Sequence, residues 1–334
     1  MIYTPRLLTL LFRRGTVRRF FFLSLAAVAV PLFTACSDTD DENSTADGTA
    51  QRDNVNRNDN SAEPSLARLE FPRVTDPTTR VLIYTTRDRY GINYSVGWDT
   101  GRKSNLWTCY QMVKGYSQDA SGGRAGYSGD FTEDPGLGDV YRVSSSNACY
   151  TGSGFDRGHL CPSADRQYSK LANAQTFYYT NMQPQYHMFN AGPRQGSTQL
   201  YTSPWVRLED KLRSWTDMKT TDTIYVCKGG TIREDQLMPS RPYIYGNGSD
   251  RLPVPGYFFV ALLRKKKDGY NAIGFWIEHD NIDHGSQPLT DYVKSIRELE
   301  ELTGFDFFCN LSDNIEQKVE TMPRENMLVA WDLK

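Results

Sequence analysis

The stretch Gly152-Ser-Gly-Phe-Asp-Arg-Gly-His-Leu-Cys-Pro-Ser-Ala-Asp-Arg166 decides how this chain is interpreted. At its centre, Asp156-Arg-Gly-His159 places a histidine just after an arginine, with a glycine between them. Histidine takes a proton near neutral pH, so it suits the work of a general base. Arginine keeps its charge and presents a planar fork of donors to phosphate oxygens. The glycines let the backbone approach a ligand closely. Together, His159 and Arg157 favour attack on a phosphodiester.

A second interpretation of the same residues is a simple turn. Asp156 would then cap the turn or pair with Arg157, and His159 would have no chemical role. Since the motif is short, the rest of the chain has to decide between the two interpretations.

Helical spacing of apolar residues is predicted over two segments, 204–215 and 289–302. The first segment aligns four apolar residues on one face, which we interpret as core residues and not as nucleobase-stacking ones: Trp205, Leu208, Leu212 and Trp215. The second turns three apolar residues inward and stops at a glycine: Val293, Ile296, Leu299 and Gly304.

Strands surround these helices in the chain. The predicted strands are 81–85, 94–98, 106–113, 223–227, 257–263 and 272–277, with a short helix over 171–178 and a Gly-rich loop over 122–138. Because the strands are grouped before and after the helices, the pattern predicts an α+β fold.

The N-terminus has the pattern of a lipoprotein signal peptide over residues 1–35. Arginines up to Arg19 precede an apolar run from Phe20 to Phe33, and Thr34-Ala-Cys36 follows. The run is too short, and too closely followed by polar sequence, for a membrane span. A cysteine directly after small residues predicts lipidation of Cys36; the alternative is ordinary signal cleavage that leaves Cys36 as a spare thiol.

Residues 36–65 are predicted to form a disordered polar linker. They are rich in Asp, Asn, Ser and Thr and nearly free of large apolar residues, so they bury too little surface to fold. This leaves residues 66–334 as a single folded domain. We therefore expect a bacterial outer membrane lipoprotein that faces the cell surface or the periplasm, or otherwise a secreted protein. Contact with the membrane would be made only through the N-terminal lipid.

The overall charge excludes one class of protein. The chain has 38 Lys and Arg against 40 Asp and Glu, a formal net charge of −2. A protein that coats nucleic acid is strongly basic. An enzyme that acts on nucleic acid and then releases it needs only a local basic groove, so the near-neutral balance is compatible with that class.

The chain has 6 cysteines, and none of them shows the C-x-x-C spacing of a zinc site. With Cys36 lipidated, the others lie in an oxidising compartment, which predicts one or two disulfides and at least one free thiol. We expect Cys109 to pair with Cys149 and Cys227 with Cys309, leaving Cys161 free. Spacing alone leaves the other connectivities open.

Two histidine-containing stretches are interpreted as structural. Glu278-His279-Asp280 and Asp283-His284 would suit a second metal site, but a polar loop after a strand is the expected interpretation. His187 is expected at the surface.

Four further features occur in a fixed order along the chain. They are Arg124 with Phe131 and Asp134-Pro135; Asp156–His159 with Pro162; Phe177-Tyr-Tyr-Thr-Asn181-Met-Gln-Pro-Gln185 with Asn190; and Trp205-Val-Arg-Leu-Glu209 with Arg213. In this order they resemble the DNA/RNA non-specific endonuclease family, over residues 69–311. The ordered set is far more specific than any single motif, and it favours the catalytic interpretation of His159 over the turn.

The resemblance implies a mixed or antiparallel sheet core with a ββα-metal (His-Me finger) motif that holds one divalent ion. His159 would activate water, and Asn190 would be the only direct protein ligand of Mg²⁺, with Mn²⁺ as the alternative ion. Mg²⁺ keeps most of its waters and takes one or two protein oxygens, so a single amide ligand suits it.

The remaining site residues surround that ion and the phosphate. The resemblance implies that Glu209 accepts hydrogen bonds from metal-bound waters and that Arg213 pairs with it at i,i+4. Arg124 and Arg157 would contact the phosphate, and Asn181 would orient the site.

One feature departs from the family pattern. Between Asn190 and Trp205, the segment 191–204 is longer than in the family. It would narrow substrate access, add a phosphate contact through Arg194, or displace Glu209.

The implied activity is a Mg²⁺-dependent endonuclease that hydrolyses internal phosphodiester bonds of DNA and RNA and leaves 5′-phosphates. Indifference to the sugar follows if only the phosphate is gripped and no 2′-hydroxyl is required. Two alternatives are a non-catalytic nucleic-acid-binding surface lipoprotein, whose extra segment blocks the site, and a phosphodiesterase for another substrate. No protein partner is implied.

Overall fold

The computed structural model describes residues 54–86, 91–118 and 127–334. The predicted signal peptide, Cys36 and residues 36–53 of the predicted linker lie outside the described residues. Arg124 and part of the predicted loop 122–138 also lie outside them.

The strands are β1 (Thr79–Thr85), β2 (Ile92–Asp99), β3 (Ser104–Met112), β4 (Phe155–His159), β5 (Met182–Tyr186), β6 (Arg194–Gln195), β7 (Thr198–Gln199), β8 (Thr223–Gly230), β9 (Tyr243–Tyr245), β10 (Arg251–Pro253), β11 (Tyr257–Lys266), β12 (Gly269–Glu278) and β13 (Val293–Lys294). The helices are α1 (Ser146–Tyr150), α2 (Lys170–Gln175), α3 (His187–Asn190), α4 (Pro204–Asp217), α5 (Ile296–Thr303), α6 (Asp313–Glu320) and α7 (Arg324–Ala330). Within the described residues, the helices are too short or too polar to cross a bilayer.

A seven-stranded antiparallel sheet forms the centre, in the order β1-β2-β3-β8-β11-β12-β13. Side chains alternate between the two faces of a strand, and β11 shows that both faces are buried. Phe258, Val260 and Leu262 join the apolar cluster beneath α4, whereas Phe259 and Leu263 join the cluster beneath α5. The fold is therefore α+β with an antiparallel core, and the predicted fold class is confirmed.

Helix α4 positions the site and follows its predicted span closely. Ser203 caps its N-terminus by accepting a hydrogen bond from the backbone N–H of Val206 at 3.2 Å, and Pro204 occupies the first turn, where it costs no hydrogen bond. Its four predicted core residues are all buried: Trp205, Leu208, Leu212 and Trp215.

The helix predicted over 289–302 is wrong in its first half. A short 3₁₀ turn ends at Tyr292, and Val293 then pairs with Phe275 in the sheet. The α-helix begins only after Ser295, whose hydroxyl and backbone N–H form a capping box with Glu298. The predicted apolar spacing therefore spans two different elements, and its residues enter two different clusters: Val293 packs in the cluster beneath α4, and Ile296 and Leu299 pack in the cluster beneath α5.

The linker boundary predicted at residue 65 lies too late in the chain. Asn54 donates from its amide to the carbonyl of Cys309 at 2.9 Å. Asn58 is buried, donates to the carbonyl of Pro72 at 3.1 Å and accepts from the N–H of Val74 at 2.8 Å. These asparagines satisfy backbone groups of Pro72, Val74 and Cys309, so they stabilise the fold through hydrogen bonds where apolar burial is absent.

The predicted disulfide pairs are also wrong. The five described cysteines are buried free thiols, including Cys161. Cys109 lies opposite Cys227 across β3 and β8, whereas Cys149 belongs to the separate apolar cluster around α1. Chain spacing carried no information about these neighbours.

Candidate active site

A two-stranded ribbon, β4 with β5, carries the central motif and is followed directly by α3. The register pairs His159 with Met182 and Arg157 with Pro184. Gly158 is required here, because a Cβ at this position would lie 2.1 Å from the side chain of the buried Gln185. The ribbon and helix form the ββα unit that the resemblance implied.

His159 lies half-buried at the end of β4, against two aromatic rings. The ring of Phe177 meets it edge-on at 5.0 Å between centroids, and that of Phe131 lies at 5.7 Å. Burial, with a smaller contribution from the positive charge of Lys228, lowers the pKa of His159 to about 4. The imidazole is therefore neutral at physiological pH. Its Nε2 is buried and has no hydrogen-bond partner among the described residues.

Asn190 ends α3, and its amide is oriented by Asp156. The Asn190 Nδ2 donates to Asp156 Oδ2 at 3.0 Å, and the same oxygen lies 2.8 Å from His187 Nδ1. The amide oxygen of Asn190 has no partner within the part of the chain that the structure describes. Asp156 therefore holds the amide so that its neutral oxygen points away from the carboxylate, an orientation that would suit a metal ligand.

Glu209 lies on α4 and is paired with a lysine from the sheet. Its Oε1 accepts a hydrogen bond from Lys228 Nζ at 2.9 Å, and the ammonium group lies 4.4 Å from the centre of the Trp205 ring. Burial raises the pKa of Glu209, and the charge of Lys228 opposes that rise. The second carboxylate oxygen has no partner from the described residues.

Arg213 does not form the predicted ion pair with Glu209. Its guanidinium donates to Asp165 Oδ1 at 2.6 Å and to Asp210 Oδ1 at 2.5 Å. Lys228 occupies the position beside Glu209 instead, because β8 passes beneath α4. The i,i+4 spacing predicted that Arg213 pairs with Glu209, but Lys228 from another element lies closer to the carboxylate.

These side chains meet in one cavity of about 490 Å³. It joins the predicted base, metal ligand and carboxylate to Arg213 and to a residue of the extra segment: His159, Asn190, Glu209, Arg213 and Tyr201. The extra segment therefore neither displaces Glu209 from the site nor fills the cavity. The arrangement brings a neutral imidazole, an uncharged amide oxygen and a carboxylate to one surface.

Arg157 lies beside this cavity, behind an aromatic ring. Its Nη2 donates to Asn147 Oδ1 at 2.6 Å and its Nε donates to the Tyr179 hydroxyl at 3.3 Å. The guanidinium carbon lies 5.2 Å from the centre of the Phe131 ring, the ring that also contacts His159. Arg157 is thus held rigidly next to the base.

Asn181 is completely buried and contacts backbone only. Its Oδ1 accepts from the N–H of Cys161 at 2.8 Å, and its Nδ2 donates to the carbonyls of Cys161 and Thr176 at 2.9 and 2.8 Å. It fixes the chain just after His159, so its geometry agrees with an orienting role. Arg194 is exposed on β6, contacts Gln199 and does not line the cavity.

Sequence reasoning missed the roles of His187 and Lys228. His187 was expected to be a surface residue, but it links Asp156 to Gln199, whose Oε1 lies 2.8 Å from its Nε2. A lone lysine within the apolar run of β8 was the available signal for Lys228, since lysine is rarely buried unless it is paired. His279 is structural as expected: it is buried and bonded to the backbone of Tyr186 and Pro255.

Comparison with known proteins identifies the family. The family profile described as DNA/RNA non-specific endonuclease matches residues 78–314. The mitochondrial nuclease EXOG of Xenopus laevis is 28% identical over 258 residues, covering 75% of this chain and 66% of that protein. Mitochondrial endonuclease G of Bos taurus is 28% identical over 222 residues, covering 66% of this chain and 68% of that protein. Nuclease C1 of Cunninghamella echinulata var. echinulata is 31% identical over 182 residues, covering 54% and 67%.

The fold is shared with a solved structure of EndoG in complex with EndoGI. The TM-score is 0.54 at 20% identity, covering 70% of this chain and 88% of that chain. The match to the nuclease EXOG of Xenopus laevis spans just under two thirds of that relative's length. The resemblance inferred from the four ordered features is confirmed, and the chain belongs to the DNA/RNA non-specific endonuclease family.

Proposed function

We propose that this protein hydrolyses internal phosphodiester bonds of DNA and RNA with little sequence preference, depends on Mg²⁺ or Mn²⁺, and leaves 5′-phosphates. One observation carries the proposal: a neutral, half-buried histidine shares a cavity with an uncharged amide oxygen and a carboxylate. That set is suited to deprotonating water beside an ion that also contacts phosphate.

The residues of the cavity fit a hard divalent cation. Mg²⁺ prefers oxygen ligands and retains most of its waters. The amide oxygen of Asn190 would hold the ion directly, and the free carboxylate oxygen of Glu209 would accept hydrogen bonds from its waters. When bound, the ion stabilises negative charge on the phosphate and on the leaving oxygen.

His159 is the group that removes the proton from water in this account. Because burial holds its pKa near 4, the imidazole is unprotonated throughout the neutral range, so its nitrogen is available to a proton from water. The attacking oxygen bonds to phosphorus while the bond from phosphorus to the 3′ oxygen breaks. The phosphate stays on the 5′ oxygen of the downstream fragment, and the 3′ oxygen takes a proton from water and leaves as a hydroxyl. If the enzyme contacts only the phosphate, no contact distinguishes ribose from deoxyribose, which supports activity on both DNA and RNA.

Arg157 is the described arginine best placed to neutralise phosphate charge, since Asn147 and Tyr179 fix it beside the base. Arg213 lines the cavity, but its guanidinium is already paired with Asp165 and Asp210. Arg124 is proposed for the same task on the basis of its sequence position. Arg194 is a weaker candidate, since it lies outside the cavity.

Digestion of plasmid DNA and of a structured RNA tests the proposal. Both should be cleaved with Mg²⁺, protected by EDTA and cleaved again when Mg²⁺ is restored, and the new ends should accept no phosphate from polynucleotide kinase until they are dephosphorylated. Asn190→Ala should need far more Mg²⁺, whereas Asn326→Ala, at an exposed position of α7, should behave as wild type. Binding without any cleavage would favour the non-catalytic alternative and overturn the proposal.

We also propose that Cys36 carries a lipid that anchors the protein to the bacterial outer membrane. The apolar run before Thr34-Ala-Cys36 and the polar segment after it support this placement. The protein should partition into the detergent phase of Triton X-114, and Cys36→Ala should move it to the aqueous phase. An unchanged partition would contradict the anchor.

A further inference from the structure

An exposed tyrosine stands at the rim of the catalytic cavity. Tyr201 lines the same cavity as His159, Asn190 and Glu209. It belongs to the extra segment 191–204, and 60% of its surface is exposed. Exposure alone is ordinary for a tyrosine, and what distinguishes Tyr201 is its place in the lining of this cavity.

The backbone of Tyr201 is strained. Its φ is +52°, in the left-handed region that side-chain-bearing residues rarely adopt. A bulky aromatic residue gains nothing locally from this conformation. Such strain persists only where the surrounding structure imposes it, and it occurs frequently at ligand-binding positions.

The surrounding structure does impose it. On one side, Gln199 donates from its amide to the carbonyl of Gly192 at 2.8 Å, and the N–H of Leu200 donates to the carbonyl of Pro193 at 3.1 Å. On the other side, Arg207 Nε donates to the carbonyl of Thr202 at 3.0 Å. The chain is therefore fixed just before and just after Tyr201, and the ring projects from a rigid support.

The ring has no partner of its own in the part of the chain that the structure describes. Its hydroxyl makes no hydrogen bond, and its ring contacts no other aromatic ring or cation there. The Tyr201 ring is therefore rigid, exposed and unpartnered, and it lies beside the cavity proposed to bind phosphate. From there it can contact a nucleobase attached next to that phosphate.

We propose that Tyr201 stacks on the nucleobase next to the scissile phosphate and so positions the strand in the cavity. The inference rests on the proposed nuclease function. Stacking tolerates any sequence, because every base has a π-face, and it requires no 2′-hydroxyl. Tyr201 would therefore add affinity without adding specificity, and it would do so from a segment that is longer than in the family pattern.

Two substitutions of Tyr201 distinguish the effect of the ring from the effects of the backbone conformation and of the hydroxyl. Tyr201→Asn removes the ring but keeps a residue that tolerates the left-handed conformation. We expect it to raise KM for a single-stranded oligonucleotide by about 10-fold, within the range typical of one stacked base, while kcat changes less than about two-fold. Tyr201→Phe should retain the wild-type KM. An unchanged KM in the asparagine variant, or an equal loss in the phenylalanine variant, would overturn the stacking role.

Abasic substrates, which lack a nucleobase, provide the second part of the experiment. An oligonucleotide with abasic residues on both sides of its single cleavable phosphate should show the same increase in KM with the wild-type enzyme, and no further increase with Tyr201→Asn. Additive losses would contradict direct stacking. If the asparagine variant fails to unfold cooperatively on heating, the wild-type enzyme on the abasic substrate decides alone.

The controls separate this inference from the proposed function. Tyr245→Asn removes another exposed ring, on β9 and outside the cavity, and should leave KM unchanged. If the wild-type enzyme cleaves neither DNA nor RNA, the proposed function fails. If it cleaves normally and Tyr201→Asn has the wild-type KM, only the stacking role fails.

Discussion

The ammonium group of Lys228 lies 2.9 Å from the Glu209 carboxylate, and only 2% of the lysine side chain is exposed. The pair connects β8 to α4 directly beneath the catalytic cavity. An unpaired charge at such a depth is costly, so each partner fixes the other in place. Lys228 thereby holds the carboxylate that the proposed mechanism needs, and its charge also acts on His159.

Replacement of Lys228 by methionine should alter the pH dependence of cleavage. Removing the cation should raise the pKa of His159, so the acid limb of kcat/KM against pH should move upward by roughly 1 unit or less. Burial, the larger cause of the lowered pKa, would remain. Lys265→Met, at an exposed lysine paired with Asp222, is the matched control. A wild-type acid limb in Lys228→Met would show that the lysine does not act on the base.

Asp156→Ala should weaken metal binding more than it impairs catalysis at saturating metal. Without the carboxylate, nothing among the described residues fixes the amide of Asn190, and the loss of such an orienting partner typically costs about 10- to 100-fold in metal affinity. Titration of activity with Mg²⁺ measures this, and excess Mg²⁺ should recover part of the rate. Asp139→Ala, at an exposed aspartate, serves as control. The proposed orienting role would be wrong if the half-saturating Mg²⁺ concentration stayed at the wild-type value.

Asn181→Ala should destabilise the protein and slow cleavage together. The substitution removes three buried hydrogen bonds and leaves backbone groups of Cys161 unsatisfied, at a cost on the order of 2–4 kcal/mol in the free energy of unfolding. Urea unfolding measures the loss, and Asn247→Ala at an exposed position provides the comparison. An unfolding free energy equal to that of wild type would contradict the bracing role.

Glu300, one of three clustered carboxyl groups near the C-terminus, should contribute less to the stability of the protein as the pH rises. Glu300, Asp306 and Glu320 lie within 4.8 Å of one another, and burial followed by the charge of Glu320 raises the pKa of Glu300 to about 8. The folded state therefore holds this proton more tightly than the unfolded state, where the pKa is 4.5. Stability should be highest below about pH 4.5 for this group and should fall as the pH rises to about 8.

Glu300→Gln should reduce that pH dependence. The variant has no charge to bury, so its unfolding free energy at pH 8 should exceed that of wild type by roughly 1–3 kcal/mol. Thermal unfolding from pH 5 to 9 measures the difference, with Glu301→Gln as the exposed neighbour. Parallel curves for Glu300→Gln and wild type would show that Glu300 does not couple folding to protons in this range.

Local signals explain why some elements were predictable. Helix α4 carries a serine cap, an initial proline and a regular apolar face, so its start at Pro204 follows from the sequence alone. The motif from Asp156 to His159, with Asn190 and Glu209 downstream, likewise indicated which side chains share the site. Each of these motifs can be recognised from the residues immediately around it.

The features that were missed depend on partners far away in the chain. Lys228 reaches Glu209 from β8 and replaces the local pair expected with Arg213. Val293 belongs to a strand because Phe275 lies beside it, although its spacing fits the next helix. Asn58 is ordered by backbone groups that its own neighbourhood does not reveal. Tertiary contacts outweigh local preference at each of these positions.

The central claim is that neutral His159 activates the attacking water. The single-turnover rate of DNA cleavage by His159→Ala at saturating Mg²⁺ tests it most directly, with His284→Ala as a control at a histidine that does not line the cavity. Because general base catalysis typically contributes about 10²- to 10⁴-fold, the rate should fall by that factor while substrate affinity is retained. A rate for His159→Ala within two-fold of wild type would contradict the account.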